Sequence, residues 1–474
     1  MSSHPLEGIF HPQSIAIVGA TSQSVGMGSF LASLIEHRFK GAIYPVNPKH
    51  SEILGMKAYP SVRDIPGTFD FVISAAPANM VLQMLEDCSE KGAKYAVIFT
   101  ARFSETGREE GKELEKTILR KAKELNIRLI GPNCMGVYHP REGISWEVDF
   151  PKESGPIGFV SQSGGLSIDI IRTAAMRGVR FSKVISYGNA IDLNESDYLD
   201  YLSQDEETKT IIMYVEGVKD GKRFYPTLRR AAEAKPIIIL KGGRGKAGAR
   251  AATSHTASLV GSTQIWNTAI TQAGAISADN LDELIDLAVS FCFLPSIGSS
   301  RVGVATAGGG GSSVLAADIC EQAGLDVIPL PQEIREELKA MDIAVWDWIS
   351  NPADFSISYG VNLRPENLLQ LIAQNQNFDF IISSIGGPRQ RSGDEPISID
   401  KYLEPYKLIS RTLKPILALV PDKSRDVNCL SNGSWKKTCD VAAELVAAKI
   451  PFYSTLDRAA RAVAKLIDYY QRRG

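Results

Sequence analysis

The sequence predicts an α/β protein built from doubly wound parallel sheets, and three observations carry that prediction. Short β-rich runs bounded by Gly, Pro and Asn alternate with amphipathic helical stretches from Ser14 onward. The alternation restarts after a Pro- and Gly-marked break at residues 151–156, and again at residue 301. The chain is 474 residues long, enough for about three domains of ordinary size.

Composition narrows the function classes. Hydrophobic residues make up 44% of the chain and charged residues 22%, which suits a globular protein with large cores. A net charge of −2 gives no whole-chain reason to expect nucleic acid or an anionic membrane as partner. The six cysteines (Cys88, Cys134, Cys292, Cys320, Cys429, Cys439) are scattered without a CxxC pair, so they read as reduced thiols rather than a disulfide frame or zinc site. No metal ligands are assigned. The opening MSSHPLEGIFHPQS lacks a basic-plus-apolar export signal and no apolar run reaches membrane-spanning length, so a cytoplasmic protein is expected.

In the first third, SIAIVGAT, AIYPVNP, DFVISAAP, YAVIFTARF and RLIGPN read as strands. GSFLASLIEHRF, ANMVLQMLEDCSEKG and GREEGKELEKTILRKAKELN read as the helices between them, which places ligand contacts at the strand C-terminal ends. The first turn, from Gly19 through Gly26 to Gly28, leads into a helix whose N-terminal amides can hold a phosphate. It departs from the GxGxxG fingerprint. After the second strand the chain offers Val46-Asn47-Pro48-Lys49, where a nicotinamide dinucleotide site wants an acid. A lysine there favours an extra phosphate at the ribose end, as coenzyme A has. The competing reading of this turn is a glycine that only lets the helix pack.

The middle third opens with IGFVSQSGGLSIDIIRTAAMRG, which puts Ser161, Ser163, Gly164 and Gly165 at a strand-to-helix turn. Amides and hydroxyls converge there on the positive end of a helix, as a phosphate site requires and as an ordinary Ser-capped turn also would. FSKVISYGN, TIIMYVEG and PIIILKGG continue as strands, and TQIWNTAITQAG and LDELIDLAVSF as closing helices. Between them lies KGGRGKAGARAATSHTASLVG, residues 241–261. Its glycines (Gly242, Gly243, Gly245, Gly248) and cations (Lys241, Arg244, Lys246, Arg250) make it read as a mobile loop rather than a strand or helix interior. His255, beside Ser254 and Thr256, suits a nucleophile that accepts and carries a phosphoryl group; a solvated loop with an incidental His is the alternative.

The last third begins again with RVGVATAGGGG feeding SSVLAADICEQAG, so Gly308 to Gly311 form a second anion site by the same helix-terminus argument. LDVIPL, FDFIISSIG and KPILALVP read as further strands. The closing helix, DRAARAVAKLIDYYQRR, is expected to turn its basic residues to solvent.

Taken in order, GIFHPQSIAIVGAT, YPVNPK, SAAPANMV, TARFSETG and GPNCMGVYHP resemble the coenzyme A-binding domain of the nucleoside-diphosphate-forming acyl-CoA synthetases, relatives of succinyl-CoA synthetase. VSQSGGLS, SYGNAIDLNESDYLDYL, YVEGVKDGKRF, the 241–261 segment, VATAGGGGSSVLAAD and NPADFS extend the resemblance over nearly the whole chain. It implies a Rossmann-like CoA-binding domain at residues 1–135, followed by flavodoxin-like doubly wound parallel-sheet domains at 150–295 and 298–474. It implies that Gly19, Thr21, Ser24 and Gly26 hold the CoA pyrophosphate, with Asn47, Pro48 and Lys49 near the adenosine end. Ala76 and Pro77 would line the nucleotide, and Asn133 and Cys134 would lie towards the thiol. His255 would be transiently phosphorylated, Glu216 would orient its imidazole, and Ser161, Ser163, Gly164 and Gly165 would cradle phosphate together with Gly309, Gly310 and Gly311. Four positions depart from the family: Arg102 and Ala257 replace common glycines, Ala307 replaces an asparagine, and the usual GN-x-AD reads Gly188-Asn189-Ala190-Ile191-Asp192. The first of these bears on the loop around Glu105.

The function so implied is that of the α subunit of an acid–CoA ligase, converting acyl-CoA, NDP and phosphate to acid, NTP and CoA. ATP or ADP with Mg2+ would bind mainly on an ATP-grasp β subunit, because no stretch of adequate length is left here for that module. The assembly expected is an α2β2 heterotetramer acting on a small carboxylic acid. A non-catalytic CoA-binding or regulatory homologue is the second reading and a dehydrogenase a third.

Overall fold

The computed structural model describes residues 4–23, 29–250, 263–306, 310–354, 365–386, 397–420 and 434–473. The chain divides into two compact units, Met1–Leu284 and Ile285–Gly474.

The first unit holds two large sheets. One contains β1 (Ser14–Val18), β2 (Ala42–Val46), β5 (Phe71–Ser74), β6 (Tyr95–Ile98) and β7 (Arg128–Ile130), all parallel, in the order β2-β1-β5-β6-β7. A small hairpin of β3 (Glu52–Ile53) and β4 (Met56–Lys57) interrupts the crossover after β2. The second sheet contains β8 (Gly136–Tyr138), β9 (Ile157–Ser161), β10 (Phe181–Ser186), β11 (Thr210–Val215), β12 (Ile237–Lys241) and β13 (Ile276–Ala278), in the order β13-β12-β11-β9-β10-β8. Its strands are parallel except β8, which pairs antiparallel with β10 through Val184 and Tyr138. β9, β10 and β12 are buried along their whole length, as strands covered by helices on both faces must be.

The second unit has one sheet of β14 (Val302–Thr306), β15 (Ala353–Asp354), β16 (Phe380–Ser384), β17 (Ile416–Leu419) and β18 (Phe452–Tyr453), in the order β15-β14-β16-β17-β18. Its core joins Leu338, Leu369, Ile372, Ile381, Leu403 and Leu445. Counting parallel strands within each sheet, all three sheets share the order 2-1-3-4-5. In every case the chain steps from the first strand to one side and then crosses to the other, which opens a crevice beside the first strand at its C-terminal end.

Two expectations fail in this unit. LDVIPL forms no strand: Pro329 and Pro331 lack donors, and the segment contributes one isolated bridge, Asp326 to Arg301. The two-residue β15 pairs there instead, on the edge of β14. The closing helix, Leu456–Gln471, does not turn all its cations outward. Arg458 makes a bidentate pair with Asp286, Nε to Oδ2 at 2.6 Å and an Nη to Oδ1 at 3.0 Å, and Asp286 is only 2% exposed.

Candidate functional site

Strand register brings the first group of expected residues to one edge. Val18 lies opposite Val46 and Ser74, and Ser74 opposite Ile98, so the residues that follow each strand emerge side by side. Gly19 follows β1 with φ +84°, and a Cβ there would stand 3.3 Å from the Ala75 carbonyl. Glycine is therefore required both by conformation and by the close approach of β5. The Gly19 N–H donates to the Val46 carbonyl at 2.9 Å, and the Asn47 amide donates to the Ala20 carbonyl at 2.8 Å. Asn47 Oδ1 in turn accepts the Lys49 N–H at 2.9 Å, so the β2 turn is tied to the β1 turn. Ser24 and Gly26 lie outside the described residues.

Along the same edge, Ala75, Pro77, Asn79, Phe99, Thr100 and Arg102 border a cleft of about 630 Å³. Ala76 is buried behind it, its carbonyl accepting the Thr100 hydroxyl at 2.5 Å. A glycine turn that approaches β5 closely and an open channel over β5 and β6 leave room for an extended ligand along this edge. Arg102 takes φ +82°, a backbone conformation open to glycine that costs a residue with a side chain roughly 1–2 kcal/mol. Glu105 holds it there. Its Oε1 accepts the Arg102 N–H, and accepts the Phe103 N–H at 3.0 Å.

Asn133, at φ +57°, donates its N–H to the Thr100 carbonyl at 3.1 Å and so continues the cleft wall. Cys134 is a packing residue: its thiol faces the Ile98 carbonyl at 3.6 Å, and burial pushes its pKa up to about 12. Asn189 binds this wall to the second sheet. Its N–H donates to the Pro132 carbonyl at 2.9 Å, and its amide nitrogen reaches Glu105 Oε2 and Glu115 Oε1, each at 2.7 Å. Gly188 precedes it because a Cβ would meet the Asn133 and Pro132 carbonyl oxygens at 2.2 and 2.3 Å. Asn189 stands in the Gly188–Asp192 motif that carries the resemblance, but its bridging role could not be read locally, since its side-chain partners lie 56 to 84 residues away.

The second group surrounds the crevice between β9 and β11. Ser161 ends β9, and its hydroxyl donates to the Ser163 carbonyl at 2.8 Å. Ser163 caps the helix Gly164–Met176, its Oγ accepting the Leu166 N–H at 3.3 Å. Gly165 has open space on its Cβ side, whereas Gly164 is pressed against Met135. The turn thus presents a helix N-terminus beside the end of β11, where Glu216 sits only 6% exposed. Gln162 fixes that approach: its Oε1 accepts the Glu216 N–H at 2.6 Å and the Gly217 N–H at 3.1 Å. The Tyr214 hydroxyl donates to Glu216 Oε1 at 3.2 Å.

Lys241 also belongs to this cluster, which corrects its reading as the start of a loop. It is the last residue of β12 and buried, with its ammonium donating to the Glu216 carbonyl at 2.6 Å and lying 5.6 Å from the Trp266 ring centre. Burial lowers its pKa. Arg244 is likewise engaged, binding the Asp279 carboxylate and carbonyl at 2.8 and 2.9 Å. Lys246–Arg250 are helical rather than looped, with the Ala249 N–H donating to the Gly245 carbonyl at 2.8 Å. His255 lies outside the described residues.

In the second unit, Gly310 and Gly311 open the helix Gly310–Gln322 after β14, as a phosphate cradle needs. A carboxylate already stands near: a Cβ on Gly310 would be 3.7 Å from Asp354 Oδ2. Gly309 lies outside the described residues.

Residues 13–140 match the CoA binding domain family, and residues 154–291 match the succinyl-CoA ligase like flavodoxin domain. The chain is 35% identical to the α subunit of Pyrococcus furiosus acetate–CoA ligase (ADP-forming) II, over 92% of this chain and 96% of that one. It is 33% identical to Archaeoglobus fulgidus acetate–CoA ligase (ADP-forming) II, covering 99% of this chain and 67% of the longer relative. Among solved structures, acetyl-coenzyme A synthetase 1 of Ca. Korarchaeum cryptofilum, in complex with phosphate and ADP, superposes with a TM-score of 0.81 at 29% identity. That match covers 99% of this chain and 98% of the other. Among the described residues no helix is long and apolar enough to cross a membrane.

Proposed function

This chain belongs to the ADP-forming acid–CoA ligase family as an α subunit, and from that premise we propose that it interconverts acyl-CoA, ADP and phosphate with a free acid, ATP and CoA. The observation that carries the reading is the crevice between β9 and β11, where a capped helix N-terminus and a buried, clamped carboxylate adjoin. A phosphate seated at Ser161–Gly165 attacks the thioester carbonyl; the C–S bond breaks, CoA leaves as thiolate and an acyl phosphate remains. An imidazole nitrogen of His255 then takes the phosphoryl group and releases the carboxylate. Glu216 accepts the N–H of the other ring nitrogen, fixing the tautomer and supporting the charge that develops. CoA lies along the first sheet, with its pyrophosphate at Gly19 and Thr21 and its 3′-phosphate near Lys49.

Transfer from phosphohistidine to ADP takes place on an ATP-grasp β subunit, with Mg2+ on the nucleotide, in an α2β2 assembly. Two facts support a separate β subunit. The Pyrococcus relative is itself a subunit of similar length, and the Archaeoglobus relative is half as long again. The compartment is the cytoplasm, in keeping with free cysteines at 88, 134, 292, 320 and 439.

The test is labelling. The isolated chain given an acyl phosphate should acquire an acid-labile, alkali-stable phosphoryl group, absent in His255→Asn. With Mg-ATP alone it should remain unlabelled until the β subunit is added. Labelling that survives His255→Asn would defeat the carrier assignment, and robust labelling of the lone chain by ATP would defeat the division between subunits.

A further inference from the structure

We propose that Arg102 binds a phosphate of CoA, and that Glu105 and Asn189 hold it in position to do so. The inference rests on the CoA reading of the first sheet. Arg102 is the one ionisable residue among the described residues that line the 630 Å³ cleft; Ala75, Pro77, Phe99 and Thr100 are neutral. Its guanidinium makes no ion pair or hydrogen bond among the described residues, and it is exposed. A planar fork of donors on the wall of a channel that carries a polyphosphate is placed to give charge-assisted, paired hydrogen bonds.

The backbone supports the same conclusion. A long side chain at φ +82° is strained, and a glycine would sit there without strain. The strain is actively maintained: Glu105 Oε1 accepts the Arg102 and Phe103 N–H groups, while Glu105 Oε2 accepts from Asn189. Asn189 is 1% exposed and is itself secured by the Pro132 carbonyl and Glu115. The second sheet thus braces a loop of the first, and what the brace presents to the cleft is a cation. Glu105 and Asn189 are positioning residues in this scheme; Arg102 touches the ligand.

The experiment measures binding of CoA, 3′-dephospho-CoA and pantetheine by calorimetry to the full chain and its Arg102→Gly and Arg102→Lys variants, together with melting temperatures. Arg102→Gly should fold and melt higher than the wild type, because the backbone strain is released. Yet it should bind CoA roughly tenfold more weakly, with a shallower dependence on salt. Arg102→Lys should recover part of that affinity. Pantetheine, which has no phosphates, should bind both proteins alike. A loss repeated with dephospho-CoA puts the guanidinium on the pyrophosphate, and a loss confined to CoA puts it on the 3′-phosphate; either supports the proposal. Unchanged CoA affinity in Arg102→Gly, or an equal loss with pantetheine, overturns the Arg102 assignment alone. Failure of the wild type to bind CoA overturns the CoA reading as well.

Discussion

Gln162 and Glu216 are joined across the second sheet's crevice by a hydrogen bond of 2.6 Å, from the backbone N–H of Glu216 to the side-chain carbonyl of Gln162. The same oxygen accepts the Gly217 N–H at 3.1 Å, so one buried amide oxygen sets the direction in which the chain leaves β11.

Gln162→Leu keeps most of the volume but strands both N–H groups, each at a cost of about 1–3 kcal/mol. The expected result is a destabilised first unit and slower labelling of His255 by acyl phosphate, with CoA affinity unchanged. Gln162→Glu, which keeps an acceptor, should label faster than Gln162→Leu. Equal rates in the two variants would show that the amide does not steer Glu216.

Glu216→Gln tests the carboxylate itself. Its backbone clamp and the Lys241 contact involve only main-chain atoms of residue 216, so the fold should survive. Phosphorylation of His255 should slow by roughly ten- to a thousandfold, the loss expected for a group that orients an imidazole. Wild-type kinetics in this variant would leave Glu216 a structural residue.

His139 predicts an acid limb in stability. It is fully buried with Nδ1 on the Phe10 carbonyl at 2.9 Å, and burial, with Lys183 nearby, lowers its pKa from 6.5 to about 4 although Glu207 stands 3.4 Å away. The unfolded chain therefore binds a proton that the fold refuses between those values. Stability is full above pH 6.5 and falls by about 3 kcal/mol as pH drops to about 4. Glu195 opposes this. Its pKa is raised from 4.5 to about 7 by burial, so its contribution is lost as pH rises through that window. Urea midpoints at about pH 7.5 and about pH 5 should separate the two effects. His139→Asn should lose less on acidification than the wild type, and Glu195→Gln should lose more. Parallel losses in all three proteins would mean that neither group sets the slope.

Lys49→Glu addresses the adenosine end. Lys49 is exposed, its N–H held by Asn47, so the change should not disturb the fold. CoA should bind more weakly while dephospho-CoA changes little, because the repelled group is the 3′-phosphate. An equal loss for both ligands would move Lys49 elsewhere along the nucleotide.

What could be read from sequence was whatever short-range pattern encodes. The strands β1, β2, β5 to β7 and β9 to β12 follow from apolar runs between turn residues, whereas the three-residue β8 and β13 are too short to stand out in the sequence and were not expected; Gly19 and Ser161–Gly165 emerge at crevices because strand order puts them there. What could not be read lies in long-range contacts. Asn189 bridges Glu105 and Glu115, and Gln162 reaches 54 residues ahead to Glu216; a lone amide in a strand-end motif gives no sign of either. Lys241 misled for a different reason. Its neighbours are glycines and cations, but its own stem is buried and its ammonium is satisfied by carbonyls, which composition cannot show. LDVIPL has the apolar content of a strand without the donors to pair as one.

The antiparallel β8 decides how this protein can be dissected. Residues 136–150 serve both sheets of the first unit: β8 closes the open side of β10, while Phe150 gives its carbonyl to His37 at 3.2 Å and Gly143 packs on Phe39. A fragment ending at residue 135 would strip the first sheet of that cover. One beginning at residue 150 would leave the six-residue β10 as an open edge with unpaired N–H and C=O groups, a template for intermolecular strand addition. Either truncation is set to precipitate. A cut that respects the molecule would leave both sheets on one polypeptide, and the intervening segment acts less as a linker than as a shared seam.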